Sequence, residues 1–132
     1  MKLYLDTSAL VKLVQVEAES TALRRYLRKA SGDLRVTSAL ARVELVRAVA
    51  PGGPAARSHA RPVLGRLHVL DVSRDVLEYA ADLAPGRLLR SLDAIHLASA
   101  QQAGGNLRAV VTYDQPMATA ALALGMVVNA PA

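Results

Sequence analysis

The sequence contains no cysteine, no phenylalanine and no tryptophan, and its only aromatic residues, leaving histidine aside, are four tyrosines. Without cysteine, the chain cannot form disulfide bonds, thiolate zinc sites or a thiol nucleophile. With so few aromatic rings, it is poorly equipped to stack unpaired bases on an aromatic platform, as many single-strand binding modules do. The core must therefore be packed from leucine, valine and alanine.

Long apolar runs are also absent. The apolar stretch at the N-terminus is interrupted by Asp6, too early for the hydrophobic region of a signal peptide. The longest weakly polar run, residues 117–128, is broken by threonine and glycine and is too short to span a bilayer. We therefore expect an intracellular, cytoplasmic protein with no membrane partner.

Charge is unevenly balanced towards the basic side. Sixteen lysines and arginines stand against eleven acidic residues, which gives a formal net charge of +5 at pH 7. A positive balance suits a polyanionic partner, because neutralising phosphates releases condensed counterions. Many proteins that bind no nucleic acid have a similar charge, so the balance supports such a partner without identifying it.

Short apolar segments alternate with segments of helical spacing along the chain. The apolar segments predict strands at Lys2–Leu5, Leu34–Thr37, Leu67–Val72, Ala109–Thr112 and Met126–Val128. A break rich in proline and glycine at 51–54 predicts a turn between two helical arms. Strands that alternate with helices favour a parallel sheet covered on both faces, so we expect an α/β/α fold in a single domain spanning residues 1–132.

Two aspartates each follow a predicted strand and precede a predicted helix. Asp6 follows the first strand, and Asp114 comes shortly after the fourth. In an open parallel sheet, ligands bind beyond the carboxyl ends of the strands, where the strand order switches. The alternative for each aspartate is helix capping, because an aspartate before a helix stabilises its N-terminus.

Two further acids fall on predicted helices, on faces that are mainly apolar. Glu44 shares a face with alanine and leucine, and Asp93 lies in the first turn of a helix. An ionised carboxylate on an apolar face is unfavourable unless it finds a partner or a metal. The alternatives are an ion pair between Glu44 and Arg47, or a surface position for Glu44, and an interaction of Asp93 with the helix dipole.

The four acids lack a lysine or arginine at a matching position, which suggests that they share a cation. Carboxylate oxygens are the ligands that Mg²⁺ and Mn²⁺ prefer, and Mg²⁺ often takes a substrate phosphate as a further ligand. We therefore expect an acidic metal site built from Asp6, Glu44, Asp93 and Asp114. If it forms, a neutral amide at Asp93 or Glu44 should raise the melting temperature of the metal-free protein, because like charges at close range disfavour joint ionisation.

Four segments containing these acids resemble, in order, the four motifs of the PIN-domain ribonucleases. The segments are Leu5–Leu10 (LDTSAL), Ser38–Leu45 (SALARVEL), Arg90–Ala98 (RSLDAIHLA) and Val110–Asp114 (VVTYD). The third is very similar to the form common among VapC toxins of bacterial toxin–antitoxin pairs. The resemblance covers essentially the whole chain.

This resemblance implies a fold, an activity and partners. It implies a parallel sheet between helices, Mg²⁺- or Mn²⁺-dependent endoribonuclease activity, a homodimer, and a small VapB-like antitoxin that blocks the active-site groove. Asp6, Glu44, Asp93 and Asp114 would be the catalytic, metal-holding acids, and Ser8 and Thr112 would orient carboxylates or a bound water. Many relatives carry another acid shortly after the fourth motif. Residues 115–117 hold none here, so a second metal position would not be fully supplied.

An anionic site needs nearby cations to hold RNA. Arg87 and Arg90 lie close in sequence to Asp93, and arginine suits phosphate geometry, so we expect both to bind substrate. The basic residues between positions 24 and 29 are more typical of a solvated helix face. His96 lies one helical turn after Asp93 and is interpreted as a structural or rim residue rather than a catalytic one.

Two other functions compete with the nuclease. In a phosphotransfer protein of the aspartyl-phosphate type, Asp6 would be the nucleophile. Haloacid-dehalogenase-like phosphatases, however, need a second aspartate where this chain has Ser8, and response-regulator receivers need a lysine after a late strand. The second alternative is a PIN fold without activity that serves as an RNA-binding or interaction scaffold. Four retained acids argue against it, because without a metal they repel one another.

Overall fold

A computed structural model describes residues 1–83 and 89–132 of the protein, and Arg87 lies outside the described residues. Its five strands are β1 (Lys2–Leu5), β2 (Leu34–Ser38), β3 (His68–Leu70), β4 (Leu107–Val111) and β5 (Val128–Asn129). They form one sheet in the order β3-β2-β1-β4-β5, and every neighbouring pair is parallel. The chain moves outward from β1 in both directions, so the strand order switches between β1 and β4. At such a switch point the carboxyl ends of two strands flank a crevice.

Seven α-helices in the described residues connect and cover the strands. They are α1 (Thr7–Val14), α2 (Ser20–Lys29), α3 (Ala41–Val49), α4 (Pro54–Gly65), α5 (Arg74–Asp82), α6 (Ser91–Gln101) and α7 (Gln115–Ala123). None of these helices is long and apolar enough to cross a membrane. The expected α/β class with a parallel sheet between helices is confirmed.

The core lies on both faces of the sheet because successive strand residues point in opposite directions. On one face, Leu3 and Leu5 of β1 pack with side chains of α1 to α4. On the other, Tyr4 of the same strand packs with side chains of α6 and α7. The first face is built from leucine, valine and alanine, as expected from a chain without phenylalanine. Each face therefore anchors a different set of helices against β1.

The predicted break between two helical arms is confirmed. A 3₁₀ turn, Ala50–Gly52, follows α3, and α4 begins with Pro54. Between them, Gly53 has φ of 92°, a conformation that is strained for residues with a Cβ atom. The turn folds α4 back against α3.

Strand β1 has the predicted bounds, and the other four strands differ from theirs by one or two residues at one or both ends. Local hydrogen bonds explain two of these differences. Ser38 belongs to β2 and does not cap α3; instead its hydroxyl accepts a hydrogen bond from the Leu40 N–H in the connecting turn. The last strand begins at Val128, because the Met126 N–H is still bonded to the Ala121 carbonyl at the end of α7. Local hydrogen bonds between side chain and backbone, or at the end of a helix, shifted both boundaries.

Candidate active site

Asp6 lies at the carboxyl end of β1 and is the N-cap of α1. Its carboxylate accepts three hydrogen bonds, from Ser8 Oγ at 2.7 Å, Thr112 Oγ1 at 2.5 Å and the Ala9 N–H at 3.1 Å. Only 2% of Asp6 is exposed, and this burial raises the pKa of the carboxyl despite the three donors. Asp6 therefore both caps α1 and belongs to a buried polar site.

Asp114 occupies the equivalent position after β4. It caps α7 by accepting a hydrogen bond from the Met117 N–H at 3.3 Å. Its own N–H donates to Thr112 Oγ1 at 3.1 Å, so this one hydroxyl contacts both aspartate residues at the switch point. Ser8 Oγ also accepts a hydrogen bond from the Tyr113 N–H at 2.9 Å, which fixes β4 against the start of α1.

Glu44 reaches the same edge from α3. It accepts hydrogen bonds from Thr7 Oγ1 at 2.7 Å and from His96 Nε2 at 2.6 Å, and not from Arg47, the ion-pair partner considered as an alternative. Burial alone would raise the pKa of Glu44, but the hydrogen bonds from His96 and Thr7, together with nearby positive charge, hold it below its usual value. Thr7 follows Asp6 directly, so Glu44 is held next to the first aspartate.

His96 contributes more than the structural or rim position that the sequence suggested. Its ring is buried on α6 between Glu44 and Tyr4, and the Tyr4 hydroxyl lies 2.7 Å from Nδ1. The carboxylate of Glu44 can only accept, so Nε2 carries a proton and donates to it. With that tautomer Nδ1 is an acceptor, and the hydroxyl of Tyr4, whose pKa is raised by burial, donates to it. Because Tyr4 and His96 are 92 positions apart, sequence spacing gives no sign of this contact.

Asp93 lies in the first turn of α6, with 7% of its surface exposed. Burial and the negative charge of Asp114 raise the pKa of Asp93, and Arg90 opposes them. Arg90 Nε lies 3.4 Å from Asp93 Oδ2, and a terminal nitrogen of the same guanidinium lies 3.6 Å from Asp114 Oδ2. The absence of a compensating cation inferred from the sequence is therefore wrong for these two acids.

The four predicted acids form one linked group at the switch-point edge. Thr112 links Asp6 to Asp114, Arg90 links Asp114 to Asp93, and the neighbouring Thr7 links Asp6 to Glu44. Among residues 1–83 and 89–132, however, no three histidine, aspartate or glutamate side chains stand close enough to hold one metal ion.

The chemistry of this group fits a divalent cation all the same. Its donors are carboxylate oxygens, which suit Mg²⁺ and Mn²⁺. Burial and, after it, the negative charge of Asp114 raise the pKa of Asp93, and a nearby cation would oppose both effects. The guanidinium of Arg90 already places a positive charge between two of the acids.

The chain is similar to known proteins over nearly its whole length. The profile of the PIN domain matches residues 3–122. Ribonuclease VapC46 of Mycobacterium tuberculosis is 51% identical over 129 residues, covering 98% of this chain and 97% of the relative. Ribonuclease VapC35 of the same species is 45% identical over 131 residues, covering 98% of this chain and 96% of the relative.

Among solved structures, the sarcin–ricin loop cleaving toxin VapC20 of Mycobacterium tuberculosis superposes with a TM-score of 0.74 at 22% identity. The match covers 95% of this chain and 96% of the toxin, and at that identity it supports the fold alone. The family profile and the two closely related ribonucleases cover nearly the whole chain, and the four acids of the resemblance meet at one edge of the sheet. The chain belongs to the PIN-domain family and, within it, to the VapC group.

Proposed function

We propose that this protein is a metal-dependent endoribonuclease, the toxin of a toxin–antitoxin pair. The observation that carries the proposal is the linked group of Asp6, Glu44, Asp93 and Asp114 at the switch-point edge. The sequence comparisons also support the proposal, because relatives that are about half identical to this chain are named ribonucleases. The whole chain, residues 1–132, acts as one PIN-like domain in this proposal.

In the proposed site, the four acids hold Mg²⁺ or Mn²⁺. When bound, such an ion polarises the scissile phosphate, lowers the pKa of a bound water and neutralises charge that develops during the displacement. Ser8 and Thr112 fix the carboxylate of Asp6 through short hydrogen bonds. Residues 115–117 supply no additional acid, so a second ion would have fewer protein ligands.

Other residues of the edge have separate roles in the proposal. His96 is a positioning residue, because its buried ring fixes Glu44. Arg90 lies 79% exposed at its side chain beside two of the acids, where its guanidinium is available to a phosphate of RNA. Arg87, expected to act with it, lies outside the described residues.

The proposed partners follow from relatives. VapBC2 of Rickettsia felis, solved with a DNA fragment from its promoter, has a TM-score of 0.75 and 18% identity, and it covers 98% of both chains. By analogy we assign this chain a small VapB-like antitoxin that blocks the acidic edge, and we expect a homodimer. An RNA substrate and such a partner place the protein in the cytoplasm.

The scaffold alternative has one observation in its favour. Arg90 already neutralises two acids, and no three carboxylates in the described part of the chain converge without side-chain movement. A protein that binds RNA without cleaving it would need nothing more. Cleavage must therefore be tested directly, together with its dependence on metal.

The test is cleavage of total cellular RNA by the purified protein. We expect cleavage with Mg²⁺ or Mn²⁺, none with excess chelator, and recovery when the ion is restored. Asp93→Asn should be inactive, while Asp75→Asn should cleave normally, because Asp75 also lies in a first helical turn but is exposed on α5. Chelator-resistant cleavage would contradict the metal mechanism, and RNA binding without cleavage would favour the scaffold.

A further inference from the structure

A cleft away from the acidic edge is lined by basic side chains. It lies between α2 and α4 and has a volume of about 220 Å³. Its basic residues are Arg24, Arg28, Arg35, His59 and Arg66, and the remaining lining is leucine and valine. Within the described residues, no acidic side chain lines the cleft.

Three of these basic groups are fixed by backbone carbonyls. Terminal nitrogens of Arg24 and Arg35 donate to the carbonyls of Leu13 and Leu27, at 3.0 and 3.1 Å. His59 Nδ1 lies 3.0 Å from the Val14 carbonyl and must donate to it, since a carbonyl only accepts. An arginine has five N–H donors, so each anchored guanidinium keeps several for a ligand.

The arginines of the cleft have no ion-pair partner within 4.0 Å in the part of the chain that the structure describes. Other cations of the protein do have one, since Lys12 contacts two glutamates and Arg108 contacts Asp33. Four arginines with free donors around one concavity therefore form a surface that attracts anions.

The cleft lies at the opposite end of the sheet from the four acids. It is lined by residues near the start of β2, the end of α1 and the end of α4, whereas Asp6 precedes α1. An eight-residue helix is about 12 Å long, so the two sites are separated by roughly that distance along α1. A polyanion a few nucleotides long spans it.

We propose that this cleft binds backbone phosphates of the RNA at nucleotides distant from the cleaved bond. The proposal depends on the proposed ribonuclease function, because it names where the substrate of that activity is held. The acidic edge repels phosphate, and in the described residues Arg90 is the one arginine or lysine within ion-pair distance of its acids. Arg90 supplies part of the attraction for RNA, and we assign a further part to the cleft, because arginine forks match phosphate geometry.

The test compares two charge-matched double variants in RNA binding. Arg28→Gln/Arg66→Gln removes two exposed cations of the cleft whose side chains make no hydrogen bond within the described residues, so the fold should be unaffected. Arg42→Gln/Arg61→Gln removes two exposed arginines from another groove, between α3 and α4. Affinity for a fluorescein-labelled single-stranded RNA is measured by anisotropy in chelator, over a range of salt concentrations.

We expect the cleft variant to bind about tenfold more weakly than the wild type. The slope of log affinity against log salt should fall by roughly 0.7 for each phosphate of the single strand that the variant no longer neutralises. The control variant should keep the wild-type slope. Equal weakening and equal slopes in the two variants would overturn the proposal, because they would indicate general charge rather than a site.

Two further readouts separate the possible failures. With Mg²⁺, the cleft variant should show a raised KM for a long RNA and an unchanged KM for an RNA too short to span both sites. If the wild type binds but never cleaves, while the cleft variant alone loses affinity, the ribonuclease function fails and the binding site stands. If the cleft variant binds RNA normally but loses affinity for polyglutamate, the cleft takes an acidic protein segment instead, and the proposal is overturned.

Discussion

The acidic edge has two halves that the fold supports differently. In the inner half, Asp6 and Glu44 accept short hydrogen bonds from hydroxyl and imidazole groups that are themselves fixed by the sheet and by α6. In the outer half, Asp93 and Asp114 share a single exposed guanidinium at 3.4 and 3.6 Å. The inner half is preorganised. In the outer half the Met117 N–H fixes Asp114, but the link between Asp114 and Asp93 is a side chain that solvent surrounds.

This difference indicates where an added cation has most effect. Glu44 is stable as an anion without a metal, because His96 and Thr7 already stabilise its charge. Asp93 is less favourable as an anion, because burial and the charge of Asp114 both oppose its ionisation. A divalent cation would therefore stabilise ionised carboxylates most in the outer half. The inner half would supply ligands whose positions are already fixed.

The largest effect should come from removing an inner carboxylate. Asp6→Asn should lower RNA cleavage by at least about a hundredfold, since a proposed metal ligand is lost. The fold should survive. Burial raises the pKa of Asp6, which means that burying its charge is unfavourable, and a neutral amide avoids that cost. Cleavage rate and circular dichroism check the two parts. Near-normal cleavage by this variant would exclude Asp6 from the site.

The next effect tests whether the inner half depends on fixed donors. Thr112→Val keeps the shape of the side chain but removes the hydroxyl that contacts Asp6 and the Asp114 N–H. We expect a loss of about 1–3 kcal/mol in the free energy of unfolding and a 10- to 100-fold lower cleavage rate. Thr119→Val is the control, because Thr119 is exposed on α7. If the two valine variants behave alike, the preorganisation argument fails.

A smaller effect is expected on the stability of the metal-free protein at pH 7, where neutralising one acid of each half should have opposite results. Asp93→Asn should raise the free energy of unfolding and Glu44→Gln should lower it, each by on the order of 1 kcal/mol or less, and the melting temperature should shift in the same direction. Repulsion among the acids led to the expectation of a rise for both variants, but the hydrogen bonds of Glu44 reverse its sign. Calorimetry in chelator measures both changes.

The pH dependence of these differences follows from the directions of the pKa shifts. The folded pKa of Asp93 is raised, so its ionisation costs stability at neutral pH. That cost is lost as the pH falls to and below the pKa of an unfolded aspartate, about 3.9. The folded pKa of Glu44 is lowered, so its stabilisation is complete above the unfolded value near about 4.3 and is lost as the pH falls through the folded one. Both variants should therefore approach the wild type in acid. A gain from Asp93→Asn that persists below pH 4 would contradict this account.

The fold and the positions of the four acids could be predicted from the sequence, whereas most of the side chains that contact these acids could not. Residues such as Asp6 and Asp114 could be placed because strand, cap and helix follow one another locally, and a parallel sheet brings strand ends together. The partnership of His96 with Tyr4 and Glu44 could not, since it joins three elements that are distant in the chain. Arg90 was expected to bind substrate, and its contact with Asp114 likewise depends on packing between distant segments.

The smallest effect concerns the shared cation of the outer half. Arg90→Gln should change the free energy of unfolding by less than about 0.5 kcal/mol, because its ion pairs are long and exposed. The same substitution removes the one arginine or lysine that, in the part of the chain the structure describes, lies within ion-pair distance of Asp93 and Asp114. Affinity for Mn²⁺, measured by calorimetry without RNA, should therefore rise about three- to tenfold. Arg42→Gln, an exposed control on α3, should leave it unchanged. Weaker Mn²⁺ binding by Arg90→Gln would mean that Arg90 orders the two carboxylates rather than competing for them, and the outer half would then be preorganised like the inner one.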